Sequence, residues 1–178
     1  AGGISSWLGH LPVRRAAKVA RAAPDGATIL ISAMAALVIA PHLYKNVTYD
    51  TLTSFAPVGR VGDLPLVLVV NPSLPVKTLP ELIAYAKANP DKLTHSSSGN
   101  STVSHIAMEE LKRATGMKML HVPYQGSAPA MNDLIAGNVQ VALDTVAVTR
   151  PHIEAGRLRL IAVGSLERLA FFPDTPTI

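Results

Sequence analysis

A regular alternation of short apolar runs and helix-length segments between Leu64 and Val163 constrains this chain most. Residues 64–70, L-P-L-V-L-V-V, form a β-rich run that stops at Asn71 and Pro72. Thr78-Leu79-Pro80-Glu81 has the capping-box pattern, and a helix is expected from there to about residue 89, where N-P-D stops it. Strands are then expected over 93–97, 118–122, 139–143 and 158–163. Helices are expected over 102–115, 127–136 and 146–155, closing at Gly116, Gly137 and Gly156. Strands separated by helices of this length form βαβ units, so the fold class is α/β with a mainly parallel, doubly wound sheet. Such sheets hold ligands outside the carboxyl ends of their strands, which makes the strand-to-helix turns the places to search.

Upstream the pattern continues with a helix over 16–23, a P-D-G turn and a short apolar strand over 27–32. The most apolar run, I-L-I-S-A-M-A-A-L-V-I-A from Ile29 to Ala40, reads as a buried strand leading into a buried helix, and residues 55–61 as a further strand. The Ile29 run is too short for a bilayer, which needs about 20 residues. The first fifteen residues lack the charged and apolar regions of a signal peptide, so the reading expects either a removed signal or a start inside a longer gene.

Composition narrows the chemistry. The 178 residues, 48% hydrophobic and 16% charged, suffice for one real core or two small lobes. No cysteine is present, which removes disulfides, thiolate catalysis and Cys-based metal sites. A net charge of +4 favours anionic partners. The basic residues are scattered, however, apart from Arg14, Arg15, Lys18 and Arg21 on one helix face, and no basic stripe alternates with aromatics, so nucleic acid is not an expected partner.

The densest turn is T-H-S-S-S-G-N-S-T, where residues 94–102 hold six hydroxyls, a Gly and an Asn before a helical pattern begins. A strand ending at Ser97, freedom at Gly99, and Asn100, Ser101 and Thr102 at a helix start gather N–H groups and hydroxyls around one point, as an anion cradle requires. The alternative is that Ser101 or Asn100 only caps the helix. A hydrolase elbow needs G-x-S-x-G, and here His95 stands where the first Gly belongs, which weakens Ser98 as a nucleophile. Phosphate-loop and dinucleotide fingerprints are absent, and the spacing of His95, His105 and His121 matches no metal pattern. His105 reads as a packed or surface side chain. In H-V-P-Y-Q-G-S, Tyr124 either presents its ring and hydroxyl to a ligand beside Gly126 or lies in the core under the turn. Asp144, ending V-Q-V-A-L-D, either contacts a ligand or caps the next helix.

Several blocks then stand in a telling order: P-D-G-A-T-I-L-I, F-A-P-V-G, L-V-L-V-V-N-P-S-L-P-V-K-T-L-P-E-L-I-A-Y-A-K-A-N-P-D-K-L, S-S-G-N-S-T, H-V-P-Y-Q-G-S-A-P-A-M-N-D-L-I-A-G-N-V-Q-V, P-H-I-E-A-G-R-L-R-L-I-A-V and P-D-T-P-T-I. From about residue 16 onward this series closely resembles the Bug-type solute receptors, the periplasmic substrate-binding proteins of tripartite tricarboxylate transporters. The resemblance implies a two-lobed, type II Venus-flytrap binding protein without catalysis or cofactor, located in the periplasm. It implies a small di- or tricarboxylate or related acid as ligand, and the membrane components of the transporter as partners. It places Ser97, Ser98, Gly99, Asn100, Ser101 and Thr102 at a carboxylate loop of the second lobe, Ser32, Ala33 and Met34 at a cleft loop of the first, and Tyr124, Gly126 and Asp144 near the cleft.

Departures from the family pattern accompany it. D-T-V-A-V-T-R-P-H carries Thr145 where the family has Asn, and A-G-G-I-S-S-W-L-G-H-L-P-V-R-R fits the family start poorly. Relatives also continue past P-D-T-P-T-I. The reading therefore expects a partial first lobe, residues 1–95 and 165–178, around a complete second lobe, residues 96–164. It further expects that a sheet edge left open in the partial lobe offers a surface for self-association.

Overall fold

The computed structural model describes residues 11–178, in two compact units, Ala1–Gly62 and Asp63–Ile178. The opening A-G-G-I-S-S-W-L-G-H, on which the signal-peptide question turns, lies outside the described residues.

In the first unit, helix α1 (Leu11–Ala20) turns Val13, Ala16 and Ala17 toward Ala40 and Tyr49 to make a small apolar cluster. A π-helical turn (Ala35–Ile39) runs straight into the short helix α2 (Ala40–Leu43). The Tyr49 hydroxyl donates to the Ala36 carbonyl, and its ring meets Phe55 edge-on at 5.5 Å. The strands expected over 27–32 and 55–61 are absent among the described residues, and both stretches are irregular. Ile29 and Ile31 are 71% and 83% exposed, and Val58 and Val61 about nine-tenths, so the first half of the Ile29 run is not a buried strand. The physical reason is that an apolar run becomes a strand only where another strand satisfies its N–H and C=O groups, and this unit has no described strand to do so.

The second unit is a sheet covered on both faces. Its elements are β1 (Leu66–Val70), α3 (Leu79–Ala88), β2 (Thr94–Ser97), α4 (Val103–Thr115), β3 (Leu120–Pro123), α5 (Ser127–Ala136), β4 (Val141–Thr145), α6 (Val146–Glu154) and β5 (Arg159–Val163). The strand order is β3-β2-β4-β1-β5. β2 runs parallel to both its neighbours, as the βαβ pattern predicts, whereas β1 runs antiparallel to β4 and β5. The sheet is therefore mixed.

Side-chain alternation explains the two-sided burial. Leu68 and Val70 of β1 join Leu82 and Ala86 of α3 and Met108 and Leu111 of α4 on one face. Val67 and Val69 face the other way, onto Met131 and Leu134 of α5 and Val146 of α6. All four β1 side chains are fully buried, which is why L-V-L-V-V reads as an unbroken apolar run. Thr78 caps α3 by accepting from the Glu81 N–H at 3.3 Å, while the Glu81 carboxylate reaches back to the Lys77 N–H at 2.7 Å.

The expected boundary between residues 95 and 96 falls inside β2, and β1, grouped from sequence with the first lobe, hydrogen-bonds to β4 and β5. Residues 165–178, also grouped there, return to the β5 edge, where the Ile178 N–H donates to the Val163 carbonyl and the Val163 N–H to the Pro176 carbonyl, both at 2.9 Å. Backbone pairing, which composition does not reveal, groups these segments with the second unit.

Candidate functional site

Because β2 lies between two parallel neighbours, the carboxyl ends of β2, β3 and β4 share one edge of the sheet, and the turns into α4, α5 and α6 all leave from it. The serine loop is tied to the turn after β3 by backbone alone. Tyr124 N–H donates to the Ser97 carbonyl at 3.0 Å and Gly126 N–H to the Ser98 carbonyl at 3.1 Å. Gly99 has φ +142°, a conformation that calls for glycine, and a Cβ there would touch the Tyr124 carbonyl oxygen at 3.4 Å. Ser101, at φ +62°, is a non-glycine residue in the left-handed region.

Many of the loop hydroxyls shape the loop. The Ser97 hydroxyl donates to the Gly99 carbonyl at 3.0 Å and accepts from the Gly99 N–H at 3.3 Å. Ser98 meets the Ser104 hydroxyl at 3.2 Å, and Ser104 meets Thr102 at 3.0 Å. Thr102, rather than Ser101 or Asn100, is the N-cap of α4: its oxygen accepts from the His105 N–H at 3.4 Å and donates to the Gly99 carbonyl at 2.8 Å. Asn100 is exposed, and the N–H groups of Val103 and Ser104 fall in the first turn, where a helix offers them no partner of its own.

Three histidines stand beside this loop, and their grouping was not legible in their spacing. Register places His95 of β2 opposite His121 of β3, and α4 brings His105 over them from its first turn. The rings stack in a row, His95 to His121 at 4.9 Å and His121 to His105 at 3.9 Å. His121 Nε2 lies 2.7 Å from the Ser97 oxygen, and the Ser101 N–H donates to His105 Nδ1 at 3.1 Å. Glu109, one turn further along α4, places one carboxylate oxygen 3.2 Å from His95 Nε2, 3.9 Å from His105 Nε2 and 2.8 Å from the Lys112 ammonium. Burial pushes His95 down to about 4, Lys112 and His121 push the same way, and Glu109 opposes them. His121 is also lowered, by burial first and then by His105. The usable sequence signal was that His95 and His121 each stand near the carboxyl end of an expected strand, 93–97 and 118–122.

This geometry does not activate a serine. Ser98 pairs with Ser104 rather than with an imidazole. Ser97 does touch His121, but it is 2% exposed and its hydroxyl is also tied to the Gly99 carbonyl at 3.0 Å, so it is closed off from a substrate. Among the described residues, no group of three or more His, Asp or Glu side chains is arranged to hold a metal ion, and no helix is long and apolar enough to cross a membrane.

The remaining expected residues sit as follows. Tyr124 packs its ring against the second apolar cluster and donates its hydroxyl to Asp133 at 2.6 Å; burial, helped by that carboxylate, raises it to about 12. Its backbone, rather than its hydroxyl, faces the serine loop. Asp144 lies two residues beyond the Ser96–Ala142 pair at the same sheet edge, buried, accepting the Thr145 N–H at 2.7 Å. Ser32, Ala33 and Met34 belong to the first unit, exposed, just before its π-helical turn, with the Ser32 hydroxyl on the Ala33 carbonyl at 3.2 Å.

Comparison with known proteins gives this arrangement a context. The model of the tripartite tricarboxylate transporter family receptors matches residues 9–178. A UPF0065 protein of Bordetella pertussis is 39% identical over 161 residues, covering 89% of this chain and 49% of that protein. The chain thus spans about half the length of the curated relatives it matches. Among solved structures, the R. palustris protein Rpa4515 with adipate superposes with a TM-score of 0.85 at 34% identity, over 93% of this chain and 56% of that one. The periplasmic binding protein BugD gives 0.81 at 38%, over 93% and 55%. MatC from Rhodopseudomonas palustris, with bound malate, gives 0.79 at 27%, over 98% and 57%. On the strength of a family match that runs through both compact units, this chain belongs to the tripartite tricarboxylate transporter receptors.

Proposed function

We propose that this protein serves as a periplasmic receptor that binds a small organic carboxylate for a tripartite tricarboxylate transporter, with the 97–102 loop and the start of α4 forming part of the grip. The observation that carries the reading is that two solved structures holding dicarboxylates, adipate and malate, match this fold over 93% and 98% of the chain. Local chemistry supports it. The first-turn N–H groups of Val103 and Ser104 attract an anion through their unpaired dipoles, and the exposed Asn100 amide adds a donor beside them. The half-buried Ser98 hydroxyl, linked to Ser104 at 3.2 Å, can turn its proton toward a carboxylate by rotation about one bond. Neutral donors of this kind grip one ligand and release it, which suits a receptor better than an enzyme.

The test is a thermal-shift and calorimetric titration with adipate, malate and citrate. A ligand at a hundred times its Kd stabilises the folded state by about 2.7 kcal/mol, so a binder raises the melting temperature in a concentration-dependent way. Absence of any shift and any heat with all three acids sinks the proposal.

A further inference from the structure

We propose that His105 is a positioning residue for the serine loop, holding it in its ligand-accepting form only while the imidazole is neutral. The inference rests on the receptor reading above for its consequence in binding, but the coupling itself is a property of the unliganded protein. The Ser101 N–H donates to His105 Nδ1 at 3.1 Å, so that nitrogen must carry a lone pair and the ring proton must sit on Nε2. Ser101 occupies the left-handed region at φ +62°, a conformation that persists in a non-glycine residue only when its surroundings impose it. Its bond to His105 is one of the contacts that impose it; the other is Thr102, whose cap on α4 fixes the next residue. A proton on Nδ1 turns the acceptor into a donor, and the Ser101 N–H then faces a positive N–H instead of a lone pair.

The groups facing His105 come from three elements. On its own helix, Glu109 lies 3.9 Å from Nε2 and is shared with Lys112. From β3, His121 stacks on the ring at 3.9 Å, and from β2, His95 stacks behind His121 and contacts the same Glu109 oxygen. Of the three rings His105 is the one bonded to the loop backbone and partly open to solvent, with 24% of its side chain exposed, whereas His95 is fully buried.

Two substitutions separate this role from simple packing. His105→Asn puts an amide oxygen close to the place of Nδ1, an acceptor that does not titrate, whereas His105→Leu removes the acceptor. With malate and adipate as probes, the unmodified protein is expected to lose about fivefold to tenfold in affinity, the worth of one hydrogen bond, between about pH 8 and about pH 5. His105→Asn is expected to keep most of the affinity and lose that extra drop, and His105→Leu to bind weakly throughout. Titration of the acid itself is common to all three proteins and cancels in the comparison. In the unliganded protein with labelled serine, the Ser101 amide resonance should follow the protonation of the His105 ring and cease to do so in His105→Asn. A Ser101 amide that ignores the ring, an affinity that rises on acidification, or equal pH profiles for the unmodified and Asn proteins overturns the inference. If the amide follows the ring but neither acid binds at any pH, the receptor reading falls and the coupling stands.

Discussion

Two apolar stretches of similar composition have opposite fates in this molecule. Leu66–Val70 is a strand with every side chain from Val67 onward fully buried, whereas residues 27–32, A-T-I-L-I-S, are irregular, with Ile29 and Ile31 largely exposed. The first has β4 on one side and β5 on the other, with helices over both faces; the second has no strand beside it among the described residues of its unit. Hydrophobicity alone does not bury a segment. It does so where hydrogen-bonding partners and covering surfaces are both at hand.

The comparison breaks most visibly under truncation. Leu68→Ala should destabilise the second unit by about 2–5 kcal/mol through lost burial and an unfilled cavity, read from urea unfolding. Ile31→Ala, a change of the same kind at an 83% exposed position, should stay within about 0.5 kcal/mol. Equal costs at the two positions would mean that Ile31 is buried in solution.

Acidification should also act on the second unit, through its buried His95. His95 titrates near 6.5 when unfolded and at about 4 when folded, so between those values the unfolded chain binds the extra proton. Stability is therefore fully present above about pH 6.5 and is lost as pH falls toward about 4, by on the order of 3 kcal/mol for this group. Chemical denaturation at a series of pH values checks the sign, and His95→Gln should flatten the slope. A stability that increases on acidification would contradict the neutral stack.

A smaller loss than either Leu68→Ala or acidification concerns the helix start. Thr102→Ala should cost about 1 kcal/mol, since it removes the cap of α4 and the bond to the Gly99 carbonyl together. Ser101→Gly, by contrast, relieves a left-handed residue and should be neutral or slightly stabilising, unless its side chain is needed for the loop. Circular dichroism melts of the two variants distinguish a capping role from a ligand role at neighbouring positions.

Legibility followed the range of the interactions. The capping box at Thr78 and Glu81 forms as read, and α5 spans the same ten residues that its pattern indicated, because caps and helical periods depend on neighbours within a turn. The helix after the serine loop was also anticipated, though its cap moved to Thr102, since three adjacent polar residues offer equivalent candidates. The antiparallel direction of β1, the grouping of residues 165–178 with β5, and the missing strands of the first unit were not legible. Each depends on which segments pair, and β-rich composition is silent about partner and direction.

By itself the amino-acid sequence determined the succession of strands and helices, the class of fold, the turns at which function had to be sought, and the family to which the chain belongs. Only the tertiary structure decided what the serine loop touches. His95, His105 and His121 are separated by ten and sixteen positions in the chain, yet strand register and one helix turn stack His95 and His105 each within 5 Å of His121 and attach two of the three to the loop. Local chemistry is written along the chain; a site assembled across strands exists only once the strands have paired, because pairing sets the distances on which hydrogen bonds and charges depend.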